Sequence, residues 1–468
     1  MLSLGSHTFL DDHLQWFAAA SGDYNPIHVD PFSARRLISG EQVVHGMKTV
    51  LTALNYYYQK NTHVPERIQA YFPKPIFMGE EVHFFVENIN NETRISVRNS
   101  YEELASIRLL GNGLKITADI LTMRPEKLEP ESYNFSELKG LSGRTPVMAV
   151  LEDLDSYFPH VTHMLGIYPV AALMAFSRIV GMKAPGLHSL FTGLDVKFGE
   201  PSNTLLSWSV VRHKSSFAPI QVEVGAEGIR AALDVFVRPA PMAQAGMIDV
   251  VQAVNDDSFV GQRALVIGGS RGLGEVVAKC VSAGGGSALI TYASGEIEAL
   301  GVRDAITQQG GACEIVQLDV NQLGSLAKIT GTFQPTHIYY FASGPIRNNL
   351  KSYNTDYYDL YAAIYVHSFS AIVRQLATKT GHPIHIFYPS TVFVDDMPDG
   401  FDEYVDAKLA GERACRILEA ENSNLEILIK RLPMLKTDQT ASLIPVAAKP
   451  ALPVILQVVR EMNDLRSS

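Results

Sequence analysis

Residues 21–28 read SGDYNPIH, and the front half of the chain is best understood as a scaffold that holds this turn. An acid, Asp23, and an imidazole, His28, lie five positions apart and are separated by Asn25-Pro26. Proline fixes its own φ and biases the residue before it away from the helical region, so the two side chains flank a rigid turn. The stretch therefore predicts that both side chains point at one place.

Residues 1–122 are predicted to form one unit around this turn. Amphipathic spacing indicates a short helix at residues 10–17, proline opens a second helical start at residues 31–36, and residues 48–58 are apolar enough for a buried helix. Strand-like stretches follow at residues 81–87, 94–99 and 114–121.

Three motifs in this unit occur in an order that resembles the MaoC-like, R-specific enoyl hydratases and dehydratases. They are residues 21–28, His45-Gly46-Met47, and FPKPIFMGE at residues 72–80. That family has the hotdog fold, in which a curved antiparallel sheet wraps around one long helix, and the resemblance implies that residues 48–58 are this helix. The alternative, a plain Asx/Pro turn beside a core histidine, does not explain the two downstream motifs.

The chemistry that the resemblance implies needs two titratable groups. Eliminating water from a 3-hydroxyacyl thioester requires removal of a weakly acidic α-proton and protonation of the leaving hydroxide, and Asp23 and His28 supply both groups. The thioester carbonyl gains negative charge, which a backbone N–H at the start of a helix can stabilise. Gly46 is the candidate for that N–H, at a position that the family also uses, and Asn25 is expected to fix the turn rather than react.

A second, weaker copy of this pattern follows a predicted linker at residues 123–145. Residues 146–239 contain an apolar helical stretch at 164–182, and Phe198-Gly199-Glu200-Pro201 repeats the Phe-x-x-Pro spacing of residues 72–75. Strand-like stretches lie at residues 194–198, 205–212, 219–224 and 231–237. The repeat predicts a second hotdog, and hence an α+β double hotdog in one chain.

This second half is expected to be a scaffold that closes the acyl tunnel, because no acid/imidazole turn occurs in it. An independent active site there is the less favoured alternative. In related double-hotdog hydratases the catalytic motif lies in the second half, so its place in the first half departs from that pattern and leaves open which half lines the tunnel.

After a predicted hinge at residues 240–258, an apolar strand at residues 263–267 runs directly into GGSRGLG at residues 268–274 and then a helix. A glycine-rich turn of this kind lets the backbone and the helix N-terminus approach a pyrophosphate. Further strand-like stretches, at residues 288–292, 314–318, 336–341, 384–388 and 425–430, alternate with helical patterns. They predict an α/β doubly wound parallel sheet of the Rossmann type.

The strand ends of residues 259–468 resemble the short-chain dehydrogenase/reductase family, and so do Ser390, Tyr404 and Lys408. The YxxxK spacing places Tyr404 and Lys408 one helical turn apart on one face, although this spacing also occurs by chance. The resemblance implies that the Lys408 ammonium lowers the pKa of the Tyr404 phenol, which donates a proton to a carbonyl that Ser390 orients. It also implies that Lys408 holds the nicotinamide ribose.

NADPH (NADP) is the cofactor that the charges favour over NADH. No acid follows the second strand at residues 292–294, and Arg271 in the glycine turn can meet a 2′-phosphate. The expected cofactor-binding residues are Gly268, Ser270, Arg271, Gly272, Leu273, Gly274, Asp319, Val320, Ala342, Gly344 and Lys408.

Three positions depart from the reductase family. Ile267 replaces a frequent threonine, Tyr365 is the nearest match to the catalytic asparagine, and the residues after Arg431 lack a clear last strand with its glycine-rich end. The second departure leaves open how protons are relayed to solvent. The third suggests that the substrate cap is rebuilt.

Composition limits the remaining function classes. The chain has 468 residues, 46% of them hydrophobic, so two or three globular domains are expected, and its net charge of −10 disfavours nucleic acid as a partner. Cys280, Cys313 and Cys415 form no metal-binding or disulfide pattern. The N-terminus lacks the features of a signal peptide and no apolar run is long enough for a bilayer, so a soluble, cytoplasmic protein without a metal is expected.

Together these features predict a bifunctional 3-ketoacyl thioester reductase and 3-hydroxyacyl thioester dehydratase in fatty-acid or polyketide biosynthesis. One alternative runs the same parts in reverse, as an enoyl hydratase and 3-hydroxyacyl dehydrogenase of β-oxidation. Another keeps the dehydratase and makes the nucleotide domain catalytically silent. The carrier, acyl carrier protein or coenzyme A, is left open, as are acyl length and the oligomeric state, including a homo-oligomer.

Overall fold

The computed structural model describes residues 1–37, 39–89, 92–200, 203–212, 219–254, 257–322, 324, 326, 329, 333–350, 352–442 and 446–465. The chain divides into two compact units, the first formed by Met1–Ala240 and the second beginning at Pro241. Pro201, the proline of the repeated Phe-x-x-Pro spacing, lies outside the described residues.

The described strands of the first unit form one antiparallel sheet of ten strands, in the order β1-β3-β4-β5-β2-β7-β10-β9-β8-β6. They are β1 (Leu2–Thr8), β2 (Arg67–Tyr71), β3 (Glu81–Ile89), β4 (Glu92–Arg98), β5 (Glu103–Leu110), β6 (Ser142–Pro146), β7 (Ser189–Phe198), β8 (Leu205–Arg212), β9 (Ile220–Ala226) and β10 (Ile229–Val237). Strands β1–β5 make one half of the sheet and β6–β10 the other. The halves meet where β2 pairs with β7, from Arg67 opposite Lys197 to Tyr71 opposite Gly193.

Two buried helices pack together and share one hydrophobic core with the sheet. The helices of the unit are α1 (Asp11–Ser21), α2 (Pro26–Val29), α3 (Pro31–Ala34), α4 (Gly46–Tyr57), α5 (Leu151–Tyr157), α6 (Pro159–Leu165) and α7 (Ile167–Arg178), and a π-helical turn, Ile179–Lys183, extends α7. Helix α4 matches the helix predicted at residues 48–58. Helix α7 is buried on almost every side, which explains why its sequence is apolar without a polar face.

Several sequence predictions for this unit need correction. Residues 114–121 form no strand; apart from one isolated bridge at Leu121 they run outside the sheet. Gly111 with φ of 69° turns the chain away after β5, and the backbone at Gly113 passes so close to Pro65 that a Cβ would lie 2.6 Å from its carbonyl oxygen. Strands β1, β2 and β5 were not predicted, and the end of the expected linker forms the edge strand β6.

The second unit contains a parallel six-stranded sheet in the order β13-β12-β11-β14-β15-β16, which confirms the predicted doubly wound arrangement. Its strands are β11 (Arg263–Ile267), β12 (Ser287–Tyr292), β13 (Ala312–Gln317), β14 (His337–Tyr340), β15 (Ile384–Thr391) and β16 (Leu425–Leu432). The strand order reverses between β11 and β14. In such sheets the crevice outside the carboxyl ends of the two central strands is the usual ligand site.

The described helices of this unit are α8 (Met247–Ala253), α9 (Gly272–Ala283), α10 (Glu296–Thr307), α11 (Thr355–Ala362), α12 (Phe369–Ala377), α13 (Phe393–Asp396), α14 (Asp402–Glu421) and α15 (Ala451–Leu465). A π-helical turn, Ala363–Ser368, joins α11 to α12, and Asp438–Thr440 form a 3₁₀ turn. Helix α8 packs on α9, so this part of the predicted hinge belongs to the folded unit; residues 255 and 256 lie outside the described part.

In the described residues no strand follows β16, as predicted. Helix α15 packs on α9 instead and buries Ile455, Val458, Val459 and Met462 completely. None of the described helices is by itself long and apolar enough to cross a bilayer. Only Pro159–Leu165 and Ile167–Lys183 taken together reach that length and composition, and a bend of 115° separates them.

Candidate functional site

The rigid turn at residues 21–28 is fixed by Asn25, which is fully buried. Its side-chain oxygen accepts a hydrogen bond from the Ile27 amide at 3.2 Å and so caps α2. Its amide nitrogen donates to the carbonyl oxygens of Gly181 at 2.9 Å and Gly186 at 3.0 Å. The turn is therefore tied to the end of α7 in the other half of the unit, and Asn25 has the structural role that the sequence suggests.

The carboxyl group of Asp23 is 2% exposed and lies against α7 and its π-helical extension. The Ser177 hydroxyl donates a hydrogen bond to Asp23 Oδ2 at 2.7 Å. Gly181 makes room for the other oxygen, because a Cβ at this position would lie 2.0 Å from Asp23 Oδ1. Neither Ser177 nor Gly181 was predicted as a site residue. Both lie more than 150 positions from Asp23 in the sequence, and no local signal connects them to it.

His28 and a second imidazole, His45, stack with ring centroids 3.9 Å apart. The Val43 carbonyl oxygen lies 2.6 Å from His28 Nδ1, so Nδ1 carries the proton of the neutral ring and Nε2 keeps its lone pair. His45 Nε2 donates to the Asp23 carbonyl oxygen at 3.0 Å, and its Nδ1 has no partner among the described residues. The sequence motif that contains His45 was noted, but its contact with His28 was not predicted.

Burial sets the protonation states of this group. It raises the pKa of the Asp23 carboxyl, although His28 and the Ser177 hydroxyl oppose the shift. It lowers the pKa of His28, against the attraction of Asp23. It also lowers the pKa of His45, and the neighbouring His28 adds to that shift because two charged imidazoles in contact would repel. The environment thus favours the protonated carboxyl of Asp23 and the neutral imidazole of His28 more than water does.

Asp23 and His28 both line a cavity of about 430 Å³ in the first unit. Gly46, the first residue of α4, lines the same cavity, and the first amides of a helix have no intrahelical acceptor. Apolar side chains from both halves of the sheet complete the wall, among them Ile76, Leu104, Phe191 and Phe236. The structure thus brings Asp23, His28 and Gly46 together around one cavity.

One possible ligand atom each of Asp23, His28 and His45 lies within 4.8 Å of the others, a spacing that a metal ion could also use. The two rings, however, are inclined by only 24° to one another. Their lone pairs lie in the ring planes and are therefore confined to two stacked, nearly parallel planes, whereas two imidazoles that bind one ion must direct their lone pairs at a common point. The geometry suits acid–base chemistry better than metal binding.

The glycine turn of the second unit forms a cradle at the carboxyl end of β11. Gly268 adopts φ of 79°, and a Cβ on Gly274 would lie 2.3 Å from the Gly268 carbonyl oxygen, so the turn is closed as tightly as a pyrophosphate loop requires. Gly268 also contacts the backbone at Ala342, at the carboxyl end of β14. The residues present fit a dinucleotide in this crevice. The predicted residues Ser270 and Val320 are buried, and the Asp319 carboxylate accepts a hydrogen bond from the Asn321 amide at 2.9 Å.

Arg271 of this turn forms an ion pair with Asp438, with 3.5 Å between Nη1 and Oδ2. Asp438 follows β16, which lies three positions from β11 in the sheet. Its neighbour Gln439 donates hydrogen bonds to Ser343 Oγ at 3.0 Å and to the Gly344 carbonyl oxygen at 3.2 Å. The 3₁₀ turn Asp438–Thr440 therefore crosses the crevice from β16 to the glycine turn, a feature that the sequence did not indicate.

Tyr404 and Lys408 lie on one face of α14, but the expected hydroxyl partner differs from the prediction. Tyr404 is hydrogen-bonded to Thr391, whereas the Ser390 hydroxyl is buried and donates to Glu412 Oε1 at 2.6 Å. Adjacent residues of a strand point to opposite faces of the sheet, so only one of the two can face Tyr404. The role expected for Ser390 does not agree with this geometry, and Thr391 is the candidate in its place.

The predicted influence of Lys408 on the phenol also needs correction. Burial raises the pKa of Tyr404, and only the hydrogen bond with Thr391 opposes that shift. Lys408 is itself buried, which lowers the pKa of its ammonium to about 7, and its Nζ lies 5.8 Å from the centre of the Tyr404 ring. Without a bound cofactor, the cost of burial therefore exceeds the effect of the lysine charge on the phenol.

Comparisons with known proteins find similarity both to dehydratases and to oxidoreductases. The family described as "MaoC like domain" matches residues 6–105. The mitochondrial 3-hydroxyacyl-[acyl-carrier-protein] dehydratase of Arabidopsis thaliana is 29% identical over 79 residues, 17% of this chain and 41% of that protein. An uncharacterized oxidoreductase of Mycobacterium tuberculosis is 26% identical over 215 residues, 43% of this chain and 63% of that protein. The chain thus spans less than two thirds of each of these curated relatives.

Among solved structures, FolM alternative dihydrofolate reductase 1 from Brucella suis in complex with NADP is similar to 45% of this chain. The match covers 91% of that protein at 18% identity, with a TM-score of 0.39.

Proposed function

We propose, from the premise that residues 6–105 are a MaoC-like dehydratase domain, that the chain is a bifunctional enzyme. Its second unit reduces a 3-ketoacyl thioester with NADPH, and its first unit removes water from the resulting 3-hydroxyacyl thioester. The observation that carries the proposal is the convergence of Asp23, His28 and the start of α4 on one cavity. The two reactions are consecutive, so joining them in one chain raises the local concentration of the intermediate.

In the dehydration, we propose one role for each group, in line with the directions of the two pKa shifts. His28 Nε2 takes the α-proton of the 3-hydroxyacyl thioester, and the protonated Asp23 carboxyl gives its proton to the departing 3-hydroxyl, which leaves as water. The carbon–oxygen bond breaks as the carbon–carbon double bond forms. Afterwards His28 carries a proton and Asp23 is ionised, and a proton moving from His28 to Asp23 restores both groups.

The negative charge that develops on the thioester oxygen needs a donor. The Gly46 amide at the N-terminus of α4 supplies one, and the helix dipole adds to it. A residue larger than glycine would also press on Phe72, whose ring lies 3.3 Å from the position that a Cβ would occupy. Gly46 thus keeps the wall of the cavity open where the thioester would lie.

The first unit is proposed to be a double hotdog with one active centre. Each half of the sheet has five strands and one long buried helix, α4 or α7, and the halves join through β2 and β7. The second half contributes Ser177 and Gly181, which hold Asp23, and it lines part of the cavity. Its proposed role is therefore to support the centre in the first half and to close the acyl tunnel.

In the reduction, the residues of the second unit bind and protonate the substrate. A reduced nicotinamide dinucleotide, when bound, supplies a hydride to the 3-carbonyl carbon. Tyr404 donates a proton to the carbonyl oxygen, and Thr391, its hydrogen-bond partner, orients that oxygen. Lys408 stands one turn further along α14, where its ammonium would stabilise the resulting phenolate.

NADPH is the proposed cofactor because Arg271 lies in the glycine turn and the end of β12 has no acid before Glu296. The substrate carrier is proposed to be acyl carrier protein or coenzyme A. Both present the acyl group on the same phosphopantetheine arm, and the cavity is lined by apolar side chains from both halves of the sheet.

The test is to incubate the protein with NADPH and 3-ketoacyl thioesters on coenzyme A and on acyl carrier protein, and to identify the products by mass spectrometry. The wild type should form enoyl product, His28→Gln should accumulate the 3-hydroxyacyl thioester, and Tyr404→Phe should oxidise no NADPH but still dehydrate added 3-hydroxyacyl substrate. Each variant serves as the control for the other unit.

Three outcomes would overturn the proposal in distinct ways. Unchanged NADPH oxidation by Tyr404→Phe removes the reductase assignment and favours a silent nucleotide domain. Unchanged dehydration by His28→Gln removes the acid–base assignment. A strong preference for NAD with net oxidation of 3-hydroxyacyl thioesters favours the β-oxidation direction.

A further inference from the structure

The helix between β14 and β15 is broken by a π-helical turn, Ala363–Ser368, at the place where the sequence departs from the reductase family. A π turn inserts one extra residue and rotates the side chains that follow it, and such turns often occur at functional sites. Tyr365 lies inside this turn and is 2% exposed. A large aromatic side chain is thereby directed into the interior next to Lys408 and Tyr404.

Lys408 has few polar contacts for a buried cation. Its Nζ donates one hydrogen bond, to the Pro389 carbonyl oxygen at 2.9 Å, and within the described part of the chain it forms no ion pair. The Tyr365 ring instead covers the ammonium, with 3.8 Å from Nζ to the ring centre. The rings of Tyr388 at 5.4 Å and Tyr404 at 5.8 Å are more distant.

Hydrogen bonds at its hydroxyl and at its backbone carbonyl fix the position of Tyr365. Its hydroxyl shares a hydrogen bond of 2.7 Å with Ser343 Oγ at the carboxyl end of β14. Its backbone carbonyl accepts a hydrogen bond from the Tyr388 hydroxyl at 3.1 Å. Because an aromatic face is negative, a fixed ring at this distance attracts an ammonium group and favours one position for it.

We propose that Tyr365 is a positioning residue of the reductase site: its ring face holds the Lys408 ammonium beneath Tyr404, and its bond to Ser343 fixes that ring at the edge of the crevice. Tyr365 thus replaces, by a cation–π contact, the asparagine that this position lacks. The role depends on the proposed reduction, because only there does the charge on Lys408 act on the phenol of Tyr404.

The charge state of Lys408 gives a direct measure of the contact. Burial disfavours the ammonium and lowers its pKa to about 7, whereas the ring face favours the ammonium. The other titratable groups that face Lys408 are Tyr388 on β15, Tyr404 on its own helix, and Cys415, also on α14. All three stay in place when Tyr365 is changed, so a shift in the Lys408 titration reports the ring.

The experiment compares Tyr365→Phe, which keeps the ring and loses the hydroxyl, with Tyr365→Leu, which loses both. The titration of Lys408 is followed by NMR in protein with ¹³C-labelled lysine, and Lys408→Met assigns its signal. Tyr365→Phe should leave the Lys408 pKa within a few tenths of a unit of wild type. Tyr365→Leu should lower it by about one unit, a tenfold change in the protonation equilibrium.

The pH dependence of kcat for reduction should shift in the same direction as the Lys408 pKa. If the ammonium form is needed for reduction, a lower Lys408 pKa means that the charge is lost at lower pH. The basic limb of the kcat profile should therefore move down by about one pH unit in Tyr365→Leu and stay in place in Tyr365→Phe. A ring that only fills space would lower stability in Tyr365→Leu without moving the limb in either variant.

Two results would overturn the inference: a Lys408 titration unchanged in Tyr365→Leu, or an equal shift in both variants. If circular dichroism shows that Tyr365→Leu does not fold, Tyr365→Met, which fills the space with a flexible side chain, carries the same expectation. The NMR titration needs no turnover. A wild-type protein that reduces no ketoacyl substrate therefore refutes the reductase function, while the contact between Tyr365 and Lys408 is still tested.

Discussion

Asp23 shows how the proposed catalytic carboxyl of the first unit depends on residues far away in the sequence. The side chain belongs to the turn at residues 21–28, but Ser177 and Gly181 at the end of α7 determine where its two oxygens lie. The Ser177 hydroxyl fixes Oδ2 by donating a hydrogen bond, and the missing side chain of Gly181 leaves space for Oδ1. The position and the pKa of the acid thus depend on both halves of the unit, because His28 and the Asn25 amide of its own turn act on it together with Ser177 and Gly181.

Substitution of Gly181 by alanine should inactivate the dehydratase. The new Cβ would lie 2.0 Å from Asp23 Oδ1, so the carboxyl must move, and a displacement of about 1 Å can lower a rate by about 100-fold. NADPH oxidation by the second unit should be unchanged. The matched control is Gly225→Ala in β9, where a Cβ would meet its nearest neighbour at 3.8 Å. Equal dehydration rates in the two variants would contradict this account of Asp23.

Substitutions of Thr391 and Ser390 should have different effects on the reductase. Thr391→Val removes the hydroxyl bonded to Tyr404 at nearly constant volume, and we expect reduction to slow by about 100-fold. Ser390→Ala should reduce at close to the wild-type rate but lose about 1 kcal/mol of stability, because buried Glu412 loses a donor. Ketoacyl-dependent NADPH oxidation and urea unfolding measure the two effects. The reverse order of rates would restore the sequence-based role of Ser390.

These two sites show which residues a sequence can reveal. Asp23, Asn25 and His28 lie in one short motif, and Tyr404 and Lys408 lie one helical turn apart, so local spacing suffices. The choice between Ser390 and Thr391 depends on the register of β15, which alternation along a strand fixes only once the strand ends are known. Ser177, Gly181 and the stacking of His45 on His28 arise from tertiary packing alone.

Among the elements, the short 3₁₀ turn Asp438–Thr440 has the largest effect on the crevice of the second unit. Its ion pair with Arg271 and its hydrogen bonds with Ser343 and Gly344 connect three loops at the carboxyl edge of the sheet. A 2′-phosphate bound to Arg271 would compete with the carboxylate of Asp438 for the same guanidinium. We therefore expect this turn to weaken the affinity for the proposed cofactor, NADPH.

Asp438→Asn should consequently bind NADPH more tightly. The amide removes the competing charge and keeps an oxygen for the Met242 amide, which donates to Asp438 Oδ1 at 2.6 Å. We expect the NADPH dissociation constant to fall by about tenfold and that for NADH to change little, because NADH lacks the 2′-phosphate. Isothermal titration with both nucleotides measures this. Weaker NADPH binding in the variant would show that Asp438 supports the cofactor instead of competing with it.

Element prediction was reliable where the pattern was long or strongly apolar. Helices α4 and α7 and the six parallel strands were found because apolar runs bounded by polar residues leave few alternatives. Strands β2 and β5 were missed because polar residues, such as Arg67 and Gln69 in β2 and Arg108 in β5, lie on the face that the core does not cover. The π turns at Ile179–Lys183 and Ala363–Ser368 have no sequence signature, yet each directs a residue into a candidate site.

At the scale of the molecule, the two units differ in how they respond to acid. Burial lowers the pKa of His7, His28, His45 and His188, all in the first unit, whereas it raises the pKa of Asp23. A histidine whose folded-state pKa is lowered contributes stability above about pH 6.5 that is lost as the pH falls below it, at up to about 1.4 kcal/mol per unit. Asp23 acts in the opposite direction, but four imidazoles outweigh one carboxyl.

The first unit should therefore unfold at a lower temperature at pH 5.5 than at pH 7.5, by several degrees. Both tryptophans of the chain, Trp16 and Trp208, lie in this unit, so intrinsic tryptophan fluorescence follows its unfolding without a signal from the second unit. The variant His7→Gln, which removes one buried imidazole outside the cavity, should show a smaller shift. An unchanged or higher melting temperature at pH 5.5 would contradict the proposed neutral state of these histidines.

The pairing of β2 with β7 has a practical consequence for anyone who divides this protein. A fragment that stops before β6 would leave the backbone amides and carbonyls of β2 uncovered along five residues, at the centre of what had been a continuous sheet. Such a fragment would be expected to aggregate or to pair with other copies of itself. It would also lack α7, the helix that holds Asp23 in position. Domain dissection should keep Met1–Ala240 intact, and loss of activity in shorter pieces should not be taken as evidence about chemistry.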